Sequence, residues 1–304
     1  MDRYEQFRRA AVDRGFPADE AGKFADQLRF AIWAGSCDHD EQAVGQTGGL
    51  PRLPAGMEWP SDGAGNPLPF IVSVDCAALP RAEGLPLPED GSLLFFLHHE
   101  EDLSDGRLAP TRGTEHEFAR VVYVPAGTET AVAAPPPDHD STTFFHEDIP
   151  FLIPEHRLTA WVQPELPEWI EEEDYDFSSE VEEHLFNELK HADELCELVD
   201  ELWPGNGSAT IRIGGYCSRI GGSDTPWTQM KYAGITSRLD HPVLPGSERL
   251  ARSDVEEYRL IREWLPLAQF HTESEVYYGC FLISSDDLAD KHFDRMLSFT
   301  MFSE

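Results

Sequence analysis

The apolar positions of the chain change period soon after the start. Tyr4, Phe7, Ala11 and Val12 recur at helical spacing, and Gly15-Phe16-Pro17 breaks that run. A second stripe, Ala21, Phe24, Ala25, Leu28 and Ile32, predicts a helix from about Ala18 that stops at Gly35. From Cys37 the texture becomes short β-branched and aromatic runs bounded by Gly, Pro or Asp. Strands are predicted over Leu68–Val74, Ser92–His98, Ala119–Val124 and Leu158–Gln163. Pro125–Asp140, with Pro135-Pro136-Pro137, cannot supply a central strand or a helix and reads as an exposed loop.

Glu168–Asp176 reads as an exposed acidic connector, without the alternating oxygen ligands and central glycine of an EF-hand loop. Ser178 or Ser179 then caps a helix lined by Val181, Leu185, Leu189, Leu195, Leu198 and Leu202, which Trp203-Pro204-Gly205 ends. Strands follow at Thr210–Ile213, Leu265–Phe270 and Tyr277–Ser284. Asp286 caps a short last helix through Phe293, and Met296–Phe302 closes the chain as a strand. An internal repeat is also visible. Gly48-Gly49, a strand, Gly91-Ser92-Leu93-Leu94-Phe95-Phe96 and Glu101-Asp102 run parallel to Gly214-Gly215, a strand, Gly279-Cys280-Phe281-Leu282-Ile283 and Asp286-Asp287.

Together these elements predict an α+β, mixed or antiparallel, strand-rich single domain of two duplicated lobes with N-terminal helices. Residues 1–36 would form a helical segment packed on the body. Residues 37–304 would form the domain, with lobes at about 44–165 and 205–304 and the acidic connector and helix 166–204 between them.

Charge narrows the function. The 304 residues carry 57 acidic against 23 basic side chains, a formal net charge of −34. Phosphate backbones and anionic lipid faces repel such a surface, so neither nucleic acid nor membrane is expected as a partner. The acidity has two readings, solubility or a basic protein partner. Five scattered cysteines without a CxxC pair argue against a disulfide framework or a zinc knuckle. With no apolar run long enough for a bilayer and a charged start, a cytoplasmic protein is expected.

Several short motifs follow one another along the chain. They are Thr47-Gly48-Gly49-Leu50-Pro51-Arg52-Leu53-Pro54, Trp59-Pro60 and Gly65-Asn66-Pro67-Leu68-Pro69-Phe70. Leu85–Phe96, Phe118–Tyr123, Ile213-Gly214-Gly215-Tyr216 and the stretch from Leu267 to Phe293 follow in order. Together they resemble the YwqG-like family over about residues 44–302, with a poorly matched middle. The resemblance implies a bacterial domain without an assigned activity. Where relatives place a Gln in the first apolar strand this chain has Ser73, and Val276-Tyr277-Tyr278-Gly279 stands where a Trp-Gly-Asp is usual.

Candidate chemistry is sparse. The Gly-Gly elements lack both GxxxxGK[ST] and GxGxxG, so their glycines are expected to serve turns with positive φ or close backbone approach. His98-His99-Glu100-Glu101-Asp102 is the most ligand-like cluster, but a metal would need a further ligand such as His271 or His146. Histidine and acid at a strand end read better as a solvated edge, so no metal and no cofactor is expected. Cys37-Asp38-His39-Asp40 does not make a nucleophile and base, since adjacent residues do not face each other. Trp59, Trp161, Trp203, Tyr216 and Trp227 read as hydrophobic corners or pocket rims. Two functions remain. One is a non-catalytic protein-interaction module, in the manner of an immunity protein, engaging a basic partner through Glu182, Glu183, Glu194 and Glu197. The other is an enzyme or small-ligand binder using a cleft between the lobes, with His98, Glu100, Gln269 and His271 as its polar set.

Overall fold

The computed structural model describes residues 2–37, 41–97, 119–136, 154–171, 177, 179–205, 207–217, 225–231, 246–271 and 277–302. The chain opens with α1 (Arg3–Asp13), whose first turn is capped by Asp2 accepting from the Glu5 amide at 2.8 Å. Gly15 then turns the chain with φ 95° into α2 (Ala18–Ala25).

Here the chain departs from the helix predicted up to Gly35. The second helix ends at Ala25, and Arg29–Ser36 is a strand, β1. Its eight residues pair with β8 (His156–Glu165), from Arg29 opposite Glu165 to Ser36 opposite Leu158. A boundary at residue 36 therefore falls after a central strand, not after a helical appendage. Phe30, Ala31, Ile32 and Ala34 are all buried, so the strand has lost the alternation that would have announced it.

The remaining strands are β2 (Gly45–Thr47), β3 (Arg52–Pro54), β4 (Phe70–Asp75), β5 (Ser92–Leu97), β6 (Ala119–Val124), β7 (Thr130–Val132), β9 (Ile211–Ile213), β10 (Trp264–His271), β11 (Tyr277–Ser284) and β12 (Leu297–Phe302). Ten of the twelve described strands form one sheet in the order β12-β11-β10-β9-β1-β8-β2-β4-β5-β6, and all their described pairings are antiparallel. β3 and β7 make a separate two-stranded ribbon, so the proline-rich stretch expected as a loop carries a short strand outside the main sheet.

The sheet curls into a nearly closed barrel. Phe95 of β5 and Phe281 of β11 stand seven strands apart in the order, yet their rings meet edge to face at 5.1 Å. The interior is filled by side chains, among them Ile32, Val72, Leu93, Leu158, Ile213, Leu267 and Ile283. Gly279 marks how tightly it closes. A Cβ there would lie 2.8 Å from Leu97 Cδ2 and would collide with the Phe270 ring. Gly279→Ala is expected to cost about 1–3 kcal/mol by overpacking, read from the midpoint of urea unfolding. An unchanged midpoint would mean that the sheet ends do not press together.

The sheet has a further regularity. β2-β4-β5-β6 and β9-β10-β11-β12 flank the central pair β8 and β1 on opposite sides. Each run starts with a three-residue strand followed by two positive-φ glycines, Gly48-Gly49 and Gly214-Gly215. Each has a register shift at its second strand, at Phe70/Val72 and at Pro266/Ala268. The glycines thus serve the turns expected of them.

Helices cap the end of the barrel where β1 begins and β8 ends. α3 (Glu168–Glu171), α4 (Glu180–Asn187) and α5 (Ala192–Leu202) join α1 and α2 around Phe7, Phe24, Leu195 and Leu198. The expected acidic connector is therefore partly structural, since Trp169 and Ile170 are buried in this layer. The single long helix expected after it is two, separated at 188–191. Ser179 caps the first by accepting from the Glu182 amide at 3.2 Å. At the break Glu20 of α2 accepts from the His191 amide at 2.7 Å and contacts His191 Nδ1 at 2.9 Å, pinning the N-terminus of α5. Burial raises the Glu20 carboxyl, but the His191 contacts outweigh it and leave the pKa below the ordinary value.

Two helical pieces cover the outer face near β10–β12. One is the segment 226–231 and the other is α6 (Gly246–Glu263), which the sequence pattern did not announce. The last helix, α7 (Ser285–Ala289), is capped by Ser284, not Asp286, through a 3.1 Å bond from the Asp287 amide. A 3₁₀ turn over Phe293–Arg295 follows.

Candidate functional site

The register of the sheet builds one polar row on its outer face. Trp161 lies opposite Trp33, Trp33 opposite Arg212, Arg212 opposite Gln269, and Gln269 opposite Cys280. Every residue in that row has its Cβ on the face away from the barrel interior. The helical layer rises on one side of this face, and α6 with segment 226–231 rises on the other. Between them is a cleft of about 1120 Å³.

Glu165, at the end of β8, is the buried polar centre of the cleft floor. Its Oε1 accepts from Trp33 Nε1 at 2.6 Å and its Oε2 from the Tyr216 amide at 2.7 Å. Burial raises its pKa, and the fields of Arg212 and Arg29 with those two donors only partly oppose the rise. Gly215 is what permits the approach. Its φ is 77°, and a Cβ there would collide with the Glu165 carboxylate. The second Gly-Gly element therefore serves to seat a carboxylate.

Tyr216 is the hub of the wall. Its hydroxyl donates to the Gln27 carbonyl at 2.7 Å, and its own carbonyl accepts from Gln269 Nε2 at 2.8 Å. Burial pushes its phenol up to about 12, so it remains a neutral donor. Arg29 lies over the Tyr216 ring at 4.5 Å and the Trp227 ring at 5.8 Å. Its guanidinium donates to the carbonyls of Gly215, at 3.1 Å, and Ile261. Across the cleft, the buried Lys231 pairs with Glu257, which also accepts from Thr228 Oγ1 at 2.8 Å. Trp227 is 2% exposed, and its indole N–H has no hydrogen-bond partner among the described residues.

The rim is acidic. Glu168, Glu171, Glu182, Asp193, Glu197 and Asp200 line it from the helical layer, and Asp254 and Glu257 from α6. Among the described residues the lining cations are Arg29, Lys231, Arg212 and Arg262. Arg29 is held by carbonyls and Lys231 by Glu257, Arg212 lies over Trp33 at 5.8 Å, and Arg262 donates to the Tyr258 hydroxyl at 2.8 Å. Burial raises Asp254 above the ordinary carboxylate value against the pull of Lys231.

The residues singled out from sequence divide. Gln269 is 3% exposed and supports the wall by holding Tyr216. His98 and Glu100 lie outside the described residues, as do His99, His146 and the 38–40 stretch. His271 falls on the strand β10 opposite Tyr278, two positions beyond Gln269, and its side chain is outside the described set. Glu182 and Glu197 line the cleft, whereas Glu183 and Glu194 are exposed outside it. Of the aromatics read as hydrophobic corners or pocket rims, Tyr216 and Trp227 line the cleft, while Trp59 makes a corner by donating to the Leu68 carbonyl at 2.8 Å and meeting Phe96. Glu165, Arg29, Trp33 and Arg212 had no sequence signal beyond polarity inside or beside an apolar run. Among the described residues no group of three or more His, Cys, Asp or Glu is placed to hold a metal.

The comparison with known families fits this architecture. The family model described as Domain of unknown function (DUF1963) matches residues 45–300, most of the chain. The chain belongs to that family. The match begins after β1, although β1 pairs with both β8 and β9 at the middle of the sheet, so the DUF1963 fold here is completed by residues before it. No curated protein matches the chain. Among the described residues no helix is long and apolar enough to cross a membrane.

Proposed function

We propose that this DUF1963 chain is a non-catalytic protein-interaction module whose acidic cleft takes a positively charged segment of a protein partner. The observation that carries the reading is the charge of the walls. Carboxylates crowd the rim, while among the described residues the buried Lys231 is paired with Glu257 and the half-buried Arg29 is held by backbone carbonyls. A lysine or arginine entering at the rim would meet the negative potential of these carboxylates, with aromatic side chains in the wall beside it. The volume, about 1120 Å³, exceeds the usual 300–1,000 Å³ or so of a small-molecule pocket and suits a peptide segment. Neutralisation of a basic toxin by an immunity-type protein is one form such binding would take. Nucleic acid and anionic membrane remain unsuited partners at a net charge of −34.

The test uses a fluorescent lysine-rich peptide as probe. Binding should weaken steeply between about 50 and about 500 mM salt, because exposed charges are screened. Glu182→Gln with Glu197→Gln should slow association about tenfold or more, while Glu183→Gln with Glu194→Gln should change it little. All four substitutions should leave stability within about 0.5 kcal/mol. Equal losses from the two pairs would mean general charge attraction in place of a cleft, and salt-independent binding would exclude the mechanism.

A second reading, an enzyme or small-ligand binder in the same cleft, draws on Glu165, a buried carboxyl with a raised pKa at a cavity floor. Both its oxygens are engaged, which favours a structural role. The ordered motifs support a place among the YwqG-like proteins, and the two four-stranded runs support descent from a duplicated unit. The five free, scattered cysteines suit a reducing, cytoplasmic compartment.

A further inference from the structure

The wall of the cleft contains a feature that peptide binding does not use. Cys217, next in sequence to Tyr216, and Cys280, on β11, are both buried, and their Sγ atoms are 3.8 Å apart with one thiol hydrogen-bonded to the other. They come from segments 63 residues apart in the chain, so only the fold brings them together. We propose that Cys217 and Cys280 form a redox-active dithiol, and that its oxidation to a disulfide reshapes the Tyr216 wall of the cleft.

A disulfide needs its sulfurs at about 2.05 Å, so this pair must close by roughly 1.8 Å. Cys280 cannot supply that movement. It is fully buried in a strand paired on both sides, opposite Gln269 and Phe299. Cys217 lines the cleft just beyond the Gly214-Gly215 turn, so the movement falls on it and on Tyr216. Tyr216 carries the Glu165, Gln27 and Gln269 hydrogen bonds and the Arg29 stack, so displacing its backbone perturbs each of them. Burial and the adjacent Cys280 thiol hold Cys217 well above the usual thiol range, against the pull of Arg29 and Arg212. The pair is therefore protonated at rest, and peroxide oxidises it slowly, through the small fraction of Cys217 present as thiolate.

A peroxide serves as the oxidant, and the balance is complete. The Cys217 thiolate attacks one peroxide oxygen, the O–O bond breaks, and hydroxide leaves, giving a sulfenic acid. The Cys280 thiolate then displaces hydroxide from that sulfur to form the S–S bond. Two thiols and one hydrogen peroxide become one disulfide and two waters.

The test treats the folded full chain with hydrogen peroxide, then denatures it and blocks the remaining thiols for mass analysis. The free thiols should fall from five to three, with a linked peptide containing Cys217 and Cys280. Cys217→Ser, Cys280→Ser and, as a second variant at the more buried site, Cys280→Ala should each form no such link. Near-UV circular dichroism confirms that the variants are folded. The tryptophan emission of the oxidised wild type should shift and return with dithiothreitol, and no reversible shift should occur in the variants. Five free thiols after treatment, a link between other cysteines, or a Cys217–Cys280 link with unaltered emission would each overturn the proposal. None of these readouts depends on what the cleft binds.

Discussion

Phe281→Ala is expected to destabilise the protein by about 3–5 kcal/mol, the range for removing a buried aromatic ring from a close-packed core. Phe281 is fully buried and meets Phe95 at 5.1 Å with an interplanar angle of 64°. The contact differs from an ordinary core pair in what it joins. β11 and β5 are not neighbours in the sheet, so this ring pair belongs to the interior seam that brings the two ends of the sheet together. Truncation would leave a void and also remove an edge-to-face contact worth about 0.5–1.5 kcal/mol beyond its area. Val255→Ala, at a position 63% exposed on α6, is the control and should shift stability by less than about 0.5 kcal/mol. Urea unfolding of the three proteins makes the measurement. A loss below about 1.5 kcal/mol for Phe281→Ala would place the ring in a site that collapses easily, contrary to a closed barrel.

The strands that carry Phe95 and Phe281 were legible because they are hydrophobic runs between strong turn signals. Ser92–Leu97 follows Gly91, and Tyr277–Ser284 ends on a capping serine. β1 was not legible. Leu28 and Ile32 continue the helical spacing of Ala21, Phe24 and Ala25, and a strand buried on both faces shows no alternation to oppose that pattern. Only its pairing with β8 and β9 decides the matter, and pairing is a tertiary fact. The break in the acidic helix at 188–191 was hidden for a related reason. The leucine stripe runs on through it, while the cause is Glu20, on a helix 171 residues away, capturing His191.

Of the candidate site the sequence offered Gln269 and, as hydrophobic corners or pocket rims, Tyr216 and Trp227, but not its centre. Tyr216 and Trp227 stand beside turn residues, which is where pocket rims are built. Gln269 stands out as a lone amide in an apolar strand. Glu165, by contrast, sits between Pro164 and Leu166 in a stretch that reads as a polar exit from a strand. Its burial depends on Gly215, Trp33 and Tyr216, all distant in sequence, so no local pattern could reveal it.

That buried carboxylate supports the second large prediction. Glu165→Ala should cost about 3–5 kcal/mol, as expected when a buried charge is removed from the groups that compensate it. It would leave the Trp33 indole N–H and the Tyr216 amide without acceptors and the fields of Arg212 and Arg29 without a counter-charge. Glu165→Gln should cost less, about 1–3 kcal/mol, because one oxygen still accepts while the amide nitrogen faces the other donor. The pH dependence separates this from simple loss of packing. The folded pKa of Glu165 lies above the unfolded carboxylate value, so the native state holds this proton more tightly than the unfolded chain. Its contribution to stability therefore rises as pH falls from the folded pKa towards the unfolded value of about 4.3, and is flat below it. Glu165→Gln lacks that proton. The stability of wild type relative to Glu165→Gln should accordingly be larger at about pH 5 than at about pH 8, measured by urea unfolding of both proteins in parallel. A relative stability that shrinks on acidification would mean that the Arg29 and Arg212 fields prevail over burial, and that Glu165 is held as a low-pKa carboxylate.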